Sequence, residues 1–300
     1  MTAATLAALH TPAVRDLAWL LSSASPWQDA ADIDPARLLG AQGWPQLLAL
    51  DAAPQPLLAY LAAHPVRRLG FYAERLLAFW FGIAPHIELV AANLPVRDGG
   101  MTVGEFDFLL RVDGRPLHLE AASKFYLQLE SSGAWVGASL RDALLLKAGK
   151  TRQQLQLSRH PAACLPDGFA GCEVAARTSG WLFSPPQAAA TRLAAPLNAE
   201  ANRGWWITCD DDWPQQAADS RWCQLPRLRW LAPALLDLED TRSLAELQGA
   251  SRQFAAPQLV AELQPRGDGR WQEVARGFVT PRDWPQSALL LPLLARLEAA

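Results

Sequence analysis

Thr102-Val-Gly-Glu-Phe-Asp107-Phe-Leu-Leu-Arg-Val-Asp113-Gly114-Arg-Pro-Leu-His-Leu-Glu120-Ala-Ala-Ser-Lys124-Phe-Tyr-Leu-Gln128 is the stretch that decides the fold. Asp113-Gly114 suits a two-residue turn with both residues at positive φ, and it stands between two runs with strand character. The stretch therefore reads as a hairpin of strands Thr102–Val112 and Pro116–Gln128. Counting outward from the closing pair, Val112 and Arg115, brings Asp107 directly opposite Glu120. That pair is of the non-hydrogen-bonded kind, which holds facing Cα atoms ~4.5 Å apart. Pro116 also falls at a non-hydrogen-bonded position, where its missing N–H costs nothing.

Like charges facing each other destabilise a sheet. Here the flanks are apolar, with Phe106, Phe108, Leu119 and Ala121 on one face and Leu109 and Ala122 on the other. Two carboxylates in that setting call for a compensating cation. Mg²⁺ is the natural candidate, because it takes one or two protein carboxylates and fills its shell with water and phosphate oxygens. The alternatives are that one carboxyl is protonated or that an arginine pairs with it. His118 shares the face of Glu120, opposite Leu109, and reads as a packing or supporting histidine rather than a ligand.

Working outward, Leu69, Tyr72, Leu76 and Trp80 recur at helical spacing across 67–82. Glu74 lies among Gly70, Phe71, Leu77 and Ala78 on that helix, where an unpaired carboxylate is expensive. It reads either as a third acid of the site or as a partner of Arg67, Arg68 or Arg75. His86–Val96 reads as a strand, Arg141–Ser158 as a long helix, and Glu173–Phe183 and Gly204–Cys209 as strands. On the 141–158 helix, Lys147, Lys150 or Thr151, and Gln154 recur at helical spacing. That stripe either faces the acidic pair or phosphates, or is an ordinary solvated face.

The order helix, strand, hairpin, helix, strand gives an α+β fold with a mixed sheet rather than a doubly wound parallel one. Residues 1–64 read as a helical N-terminal segment, with helices over Ala13–Leu21 and Pro56–Ala63. Residues 65–185 form the core. Residues 186–300 form a tryptophan-rich extension packed on it, with a second hairpin at Gly269-Arg270 and a closing helix, Gln286–Ala299. Pro185-Pro186 and the Ala-rich stretch after them mark the boundary.

Half of the 300 residues are hydrophobic, which is enough for a real core. No apolar run reaches the ~20 residues of a membrane span. The first twenty residues, with Asp16 and His10, read as an amphipathic helix and not a signal peptide, so a cytoplasmic protein without membrane partners is expected. The net charge of −3 does not advertise nucleic-acid binding over the whole surface, although a local basic groove is compatible with it. Only Lys124, Lys147 and Lys150 are lysines among the 27 basic residues, and all lie near the hairpin. Cys164, Cys172, Cys209 and Cys223 form no Cys-x-x-Cys pair, and a zinc site from His160, Cys164 and Cys172 lacks a fourth ligand. Buried reduced thiols are expected. The tryptophans, Trp205 and Trp206 among them, read as packing before base stacking. Phosphate-loop, serine-elbow, zinc-protease and dinucleotide motifs are absent.

Three runs carry a resemblance: Arg68-Leu-Gly-Phe-Tyr-Ala-Glu74, Gly104-Glu-Phe-Asp107-Phe-Leu-Leu110 and His118-Leu-Glu120-Ala-Ala-Ser-Lys124-Phe-Tyr126. With Arg203-Gly-Trp-Trp206 and Trp230-Leu-Ala-Pro233, they resemble the bacterial family catalogued as domain of unknown function 1853, over roughly 60–285. That family is grouped with the PD-(D/E)xK restriction-endonuclease-like phosphodiesterases. The resemblance implies an αβββαβ core, a helix acid at Glu74, a metal Asp at Asp107, a second acid at Glu120, a lysine after it, and a glutamine on the next helix at Gln154. The sequence departs from the pattern at the lysine, because Ala122 holds the usual position. Lys124 keeps the face of Glu120 but lies ~13 Å along the strand, so either a β-bulge in Ala121–Ser123 or Lys147 has to supply the ammonium. The residue before Asp107 is also not the motif's proline. The resulting expectation is a Mg²⁺-dependent nuclease acting on DNA or RNA, with Asp107 and Glu120 on the metal and Glu74, Lys124 and Gln154 completing the catalytic set. The alternative is an inactive nuclease-fold protein that binds nucleic acid or protein.

Overall fold

The computed structural model describes residues 3–188, 196–214 and 217–299. Among the described residues there are nine α-helices and ten strands. The helices are α1 (Ala3–Ala7), α2 (Pro12–Ser22), α3 (Pro35–Leu39), α4 (Gly43–Ala52), α5 (Gln55–Ala63), α6 (Leu69–Ile83), α7 (Leu144–Leu155), α8 (Leu244–Ser251) and α9 (Leu290–Glu298). The strands are β1 (Ile87–Asp98), β2 (Met101–Val112), β3 (Arg115–Gln128), β4 (Trp135–Gly137), β5 (Glu173–Ser184), β6 (Asn202–Thr208), β7 (Arg221–Gln224), β8 (Leu235–Leu236), β9 (Gln258–Pro265) and β10 (Trp271–Thr280). The chain divides into two compact units. The first comprises Met1–Ser123, Ala148–Ser179 and Ala195–Glu200, and the second the remainder. The chain passes between them within β3, α7 and β5. Most of the Ala-rich stretch after Pro186, at 189–195, lies outside the described residues.

In the first unit β1, β2 and β3 form an antiparallel meander, and β5 follows β3 in the sheet. Two tight turns build the meander. Asp113 and Gly114 take φ of +49° and +77°, as the sequence requires, and Val112 closes on Arg115. Gly99 and Gly100, at φ +53° and +83°, close β1 on β2 in the same way, with Asp98 paired to Met101. Both turns need positive φ at two successive residues, which the Gly-Gly and Asp-Gly pairs tolerate.

Helix α6 buries Leu69, Tyr72, Ala73, Leu76, Leu77 and Trp80 on one face and packs against β1 and α2. Helix α2 is buried along most of its length, including Arg15 and Asp16. Both charges are satisfied there. Arg15 Nη1 donates to Leu6 O and Leu9 O at 2.7 and 2.8 Å, and Tyr72 Oη donates to Asp16 Oδ2 at 2.9 Å. On the β2 side, Val96, Phe106, Leu109, Leu157 and Phe169 form a closed apolar cluster.

In the second unit the end of β5 pairs with β6 in parallel and β6 with β10 in parallel, whereas β10–β9 and β9–β7 are antiparallel. The pairing is mixed, as expected. The β9–β10 hairpin turns at Gly269, φ +83°. Trp205, Trp206, Trp222, Trp230 and Trp284 are buried, and Trp205, Trp213 and Trp222 meet edge to face at 5.1–6.3 Å between centroids. The five buried tryptophans are core, and partly buried Trp213 packs against it. Arg276 threads through the unit fully buried, held by Glu273, by carbonyls of Trp230, Leu231 and Ala232, and by the Trp181 ring at 4.1 Å. All four cysteines are free. Only Cys223 is buried, which corrects the expectation of four buried thiols, and burial pushes its thiol up to about 12.

Candidate active site at Glu120

The β2–β3 ladder runs from Val112–Arg115 through Arg111–Pro116, Leu110–Leu117 and Leu109–His118 to Phe108–Leu119. It then ends, one step short of Asp107 and Glu120. Continued ideally, it would next hydrogen-bond Ala121 N–H to the Phe106 carbonyl. Instead Ala121 N donates to Asp107 Oδ2 at 2.9 Å. A carboxylate is the stronger acceptor, and opening the ladder here avoids facing two anions squarely. On the other side of β2, the pairs Ala92–Phe108 and Leu94–Phe106 bracket Asn93, which takes φ +51°. A non-glycine residue in that region is uncommon and marks an irregular strand beside Asp107.

Glu120 is buried at 3% exposure, one strand residue beyond fully buried Leu119. Both of its oxygens are engaged. His118 Nε2 meets Oε1 at 2.8 Å, and Gln154 Nε2 donates to Oε2 at 2.6 Å. His118 and Glu120 share a face because they are two apart on a strand. Gln154 arrives from α7, and Thr151, three residues earlier on that helix, is also buried. Phe106 meets the His118 ring edge-on at 4.7 Å. The structure thus brings Glu120 and Gln154 together, and lays the Asp107 carboxylate on the amide next to Glu120. Glu74 is half-buried on α6.

Lys124 stands on the part of β3 that belongs to the second unit. Its ammonium meets Asp142 Oδ2 at 2.5 Å, and Tyr126 Oη lies 3.4 Å from the same oxygen. Burial, then the Asp142 charge, pushes the Tyr126 phenol well up. Asp142 was not anticipated, since its approach to Lys124 depends on the path of the chain after β3. Asn93 was missed as well, although an asparagine inside a strand is itself a signal of irregularity. Of the two cysteines considered with His160, Cys164 is exposed and Cys172 half-buried. Burial raises the Cys172 thiol, partly offset by hydrogen bonds from the His118 backbone and the Ser158 hydroxyl.

The sequence model of the family described as "Domain of unknown function (DUF1853)" matches residues 15–280. The chain belongs to the DUF1853 family. No curated protein and no solved structure matches it. The DUF1853 match takes in Glu74, Asp107, Glu120, Lys124 and Gln154 and extends over both units.

Among the described residues no group of three or more His, Cys, Asp or Glu side chains is arranged to hold a metal. Asp107 and Glu120, the two carboxylates expected from sequence to face a divalent ion, both offer hard oxygen donors. No helix among the described residues is long and apolar enough to cross a membrane.

Proposed function

We propose that this DUF1853 protein is a Mg²⁺-dependent phosphodiesterase acting on nucleic acid, with Asp107 and Glu120 as its metal carboxylates. The observation that carries the reading is the treatment of Glu120. Both oxygens of a buried carboxylate are held by nitrogen donors, His118 and Gln154, while the Asp107 carboxylate lies on the amide of Ala121. Clamped carboxylates on neighbouring strands are what a metal centre needs from its protein. The order α6, β1, β2, β3, α7, β5, interrupted by the three-residue β4 before α7, is consistent with the helix, three strands, helix, strand succession of a restriction-endonuclease-like core.

When bound, Mg²⁺ polarises a phosphate oxygen and makes a coordinated water more acidic. The chain's own contribution is to hold the two carboxylates rigid, exclude water from behind Glu120, and present Gln154 on the facing helix. Glu74 completes or tunes the acidic set. The Lys124–Asp142 ion pair favours a second reading, because an ammonium already neutralised by a carboxylate is a weaker partner for an attacking water. That reading is a nuclease-fold module that binds nucleic acid or protein without cleaving.

Incubation of end-labelled single- and double-stranded DNA and RNA with the protein in Mg²⁺, Mn²⁺ or EDTA separates the two. The enzyme reading expects metal-dependent cleavage that Asp107→Asn and Glu120→Gln each abolish. Retention of labelled nucleic acid without cleavage in any metal selects the module.

A further inference from the structure

We infer that His118 is a positioning residue of the Glu120 site, whose Nε2–H sets the orientation in which Glu120 receives a divalent cation. The inference rests on the metal-site reading above and adds to it a residue that the sequence reading left as packing or support.

His118 is costly where it stands. The side chain is fully buried. Its Nε2 faces Glu120 Oε1 at 2.8 Å, so that nitrogen carries the hydrogen. The other nitrogen, Nδ1, is buried without a hydrogen-bond partner among the described residues. An orphaned buried polar atom is destabilising. A leucine in this place would pack against Phe106 and face Leu109 without the orphaned Nδ1, but it would strip Glu120 Oε1 of its donor. Packing alone therefore does not account for a histidine, whereas its single satisfied bond, to Glu120, does.

Geometry then defines the role. Gln154 holds Oε2 from α7 and His118 holds Oε1 from the same strand face. Two donors from two different elements fix both the position and the rotation of the carboxylate plane. With either donor removed, the carboxylate can turn about its last torsion, which is broad and roughly two-fold. Each oxygen keeps a second lone pair, so the clamp leaves a coordination direction available while deciding where it points. Hydrogen bonding of ligating carboxylates by such partners typically changes metal affinity by about 10- to 100-fold.

The test uses the full chain and Mn²⁺ alone, with affinity measured by calorimetry and by the loss of free Mn²⁺ paramagnetic signal. Wild type is expected to bind and Asp107→Asn to lose binding. His118→Leu is expected to bind about 10- to 100-fold more weakly. His118→Gln, whose amide N–H reaches the place of Nε2, should recover most of the affinity. If His118→Leu does not fold, the decision passes to His118→Gln against His118→Asn, since the shorter amide cannot reach Glu120: Gln should bind tighter. Wild-type Mn²⁺ affinity in folded His118→Leu, or equal affinities for Gln and Asn, would overturn the positioning role while leaving the metal site standing. A wild-type protein that takes no Mn²⁺ would overturn the metal reading and this inference together.

Discussion

Asp32 gives the sharpest stability prediction. Its carboxyl is raised from 3.8 to about 6, chiefly by burial. The nearby Asp29 charge adds to the rise, while the Asp29 backbone N–H, donating to Asp32 Oδ2 at 3.1 Å, and the Arg177 charge oppose it. Arg177 cannot offset the burial fully, because its guanidinium is committed to Leu20 O, Ser23 O and Thr178 O. It is itself lowered to about 10 by burial. A carboxyl raised in the folded state contributes stability below its unfolded value, and that contribution is lost as pH rises through about 6. The shift corresponds to ~3 kcal/mol at full strength, and solvent reaching part of the group reduces this to ~1–2 kcal/mol. Asp32→Asn keeps the shape without the charge. It should therefore stabilise by ~1–2 kcal/mol at pH 8 and be near neutral at pH 4, read by urea unfolding at both values. A loss of stability at pH 8 would show that Asp32 serves Arg177 as an indispensable counter-ion, and a gain equal at both pH values would show that the Asp32 charge is not what costs stability.

Gly277→Ala would set a Cβ 2.1 Å from Trp205 Cδ2, against a buried ring. Thermal unfolding should show a loss of at least ~1–3 kcal/mol, and a neutral result would mean the Trp205 cluster yields easily. Glu74→Gln and Asp107→Asn should be non-additive in Mn²⁺ affinity, with a coupling of ~0.5–3 kcal/mol; additive effects would place Glu74 outside the site. Lys124→Met breaks a half-exposed pair and should cost at most ~1 kcal/mol in a chemical melt, so abolished cleavage in a stable Lys124→Met protein would assign the ammonium to the reaction, and unchanged cleavage would dismiss it.

The elements readable from sequence are those fixed by local chemistry. The Asp113-Gly114 turn and the spacing of Leu69, Tyr72, Leu76 and Trp80 specify the β2–β3 hairpin and α6 with no help from distant residues. The Gly99-Gly100 turn carries the same kind of signal, and β1 and β2 run right up to it, to Asp98 and from Met101, beyond the strand bounds expected from composition. Strands β4, β7 and β8 are short, and their existence depends on pairing partners rather than on their own composition.

The site divides along the same line. The shared face of His118 and Glu120 follows from strand period, and Gln154 follows from helical spacing together with the resemblance. The end of the ladder at Asp107 could not be read, because it results from competition between a carboxylate and a backbone carbonyl for one amide. The Lys124–Asp142 pair depends on how residues 129–141 return to the strand, and Asp32 meets Arg177 only through the tertiary fold.

The most direct test of the metal-site account is a crystal structure of the full chain grown or soaked in Mn²⁺, with anomalous scattering recorded to locate the ion. One anomalous peak is expected at coordination distance, ~2.0–2.3 Å, from an oxygen of Asp107 and an oxygen of Glu120, with Gln154 still on Glu120 Oε2. Peaks confined to other residues, or a Glu120 carboxylate that keeps only His118 and Gln154 at saturating Mn²⁺, would contradict it.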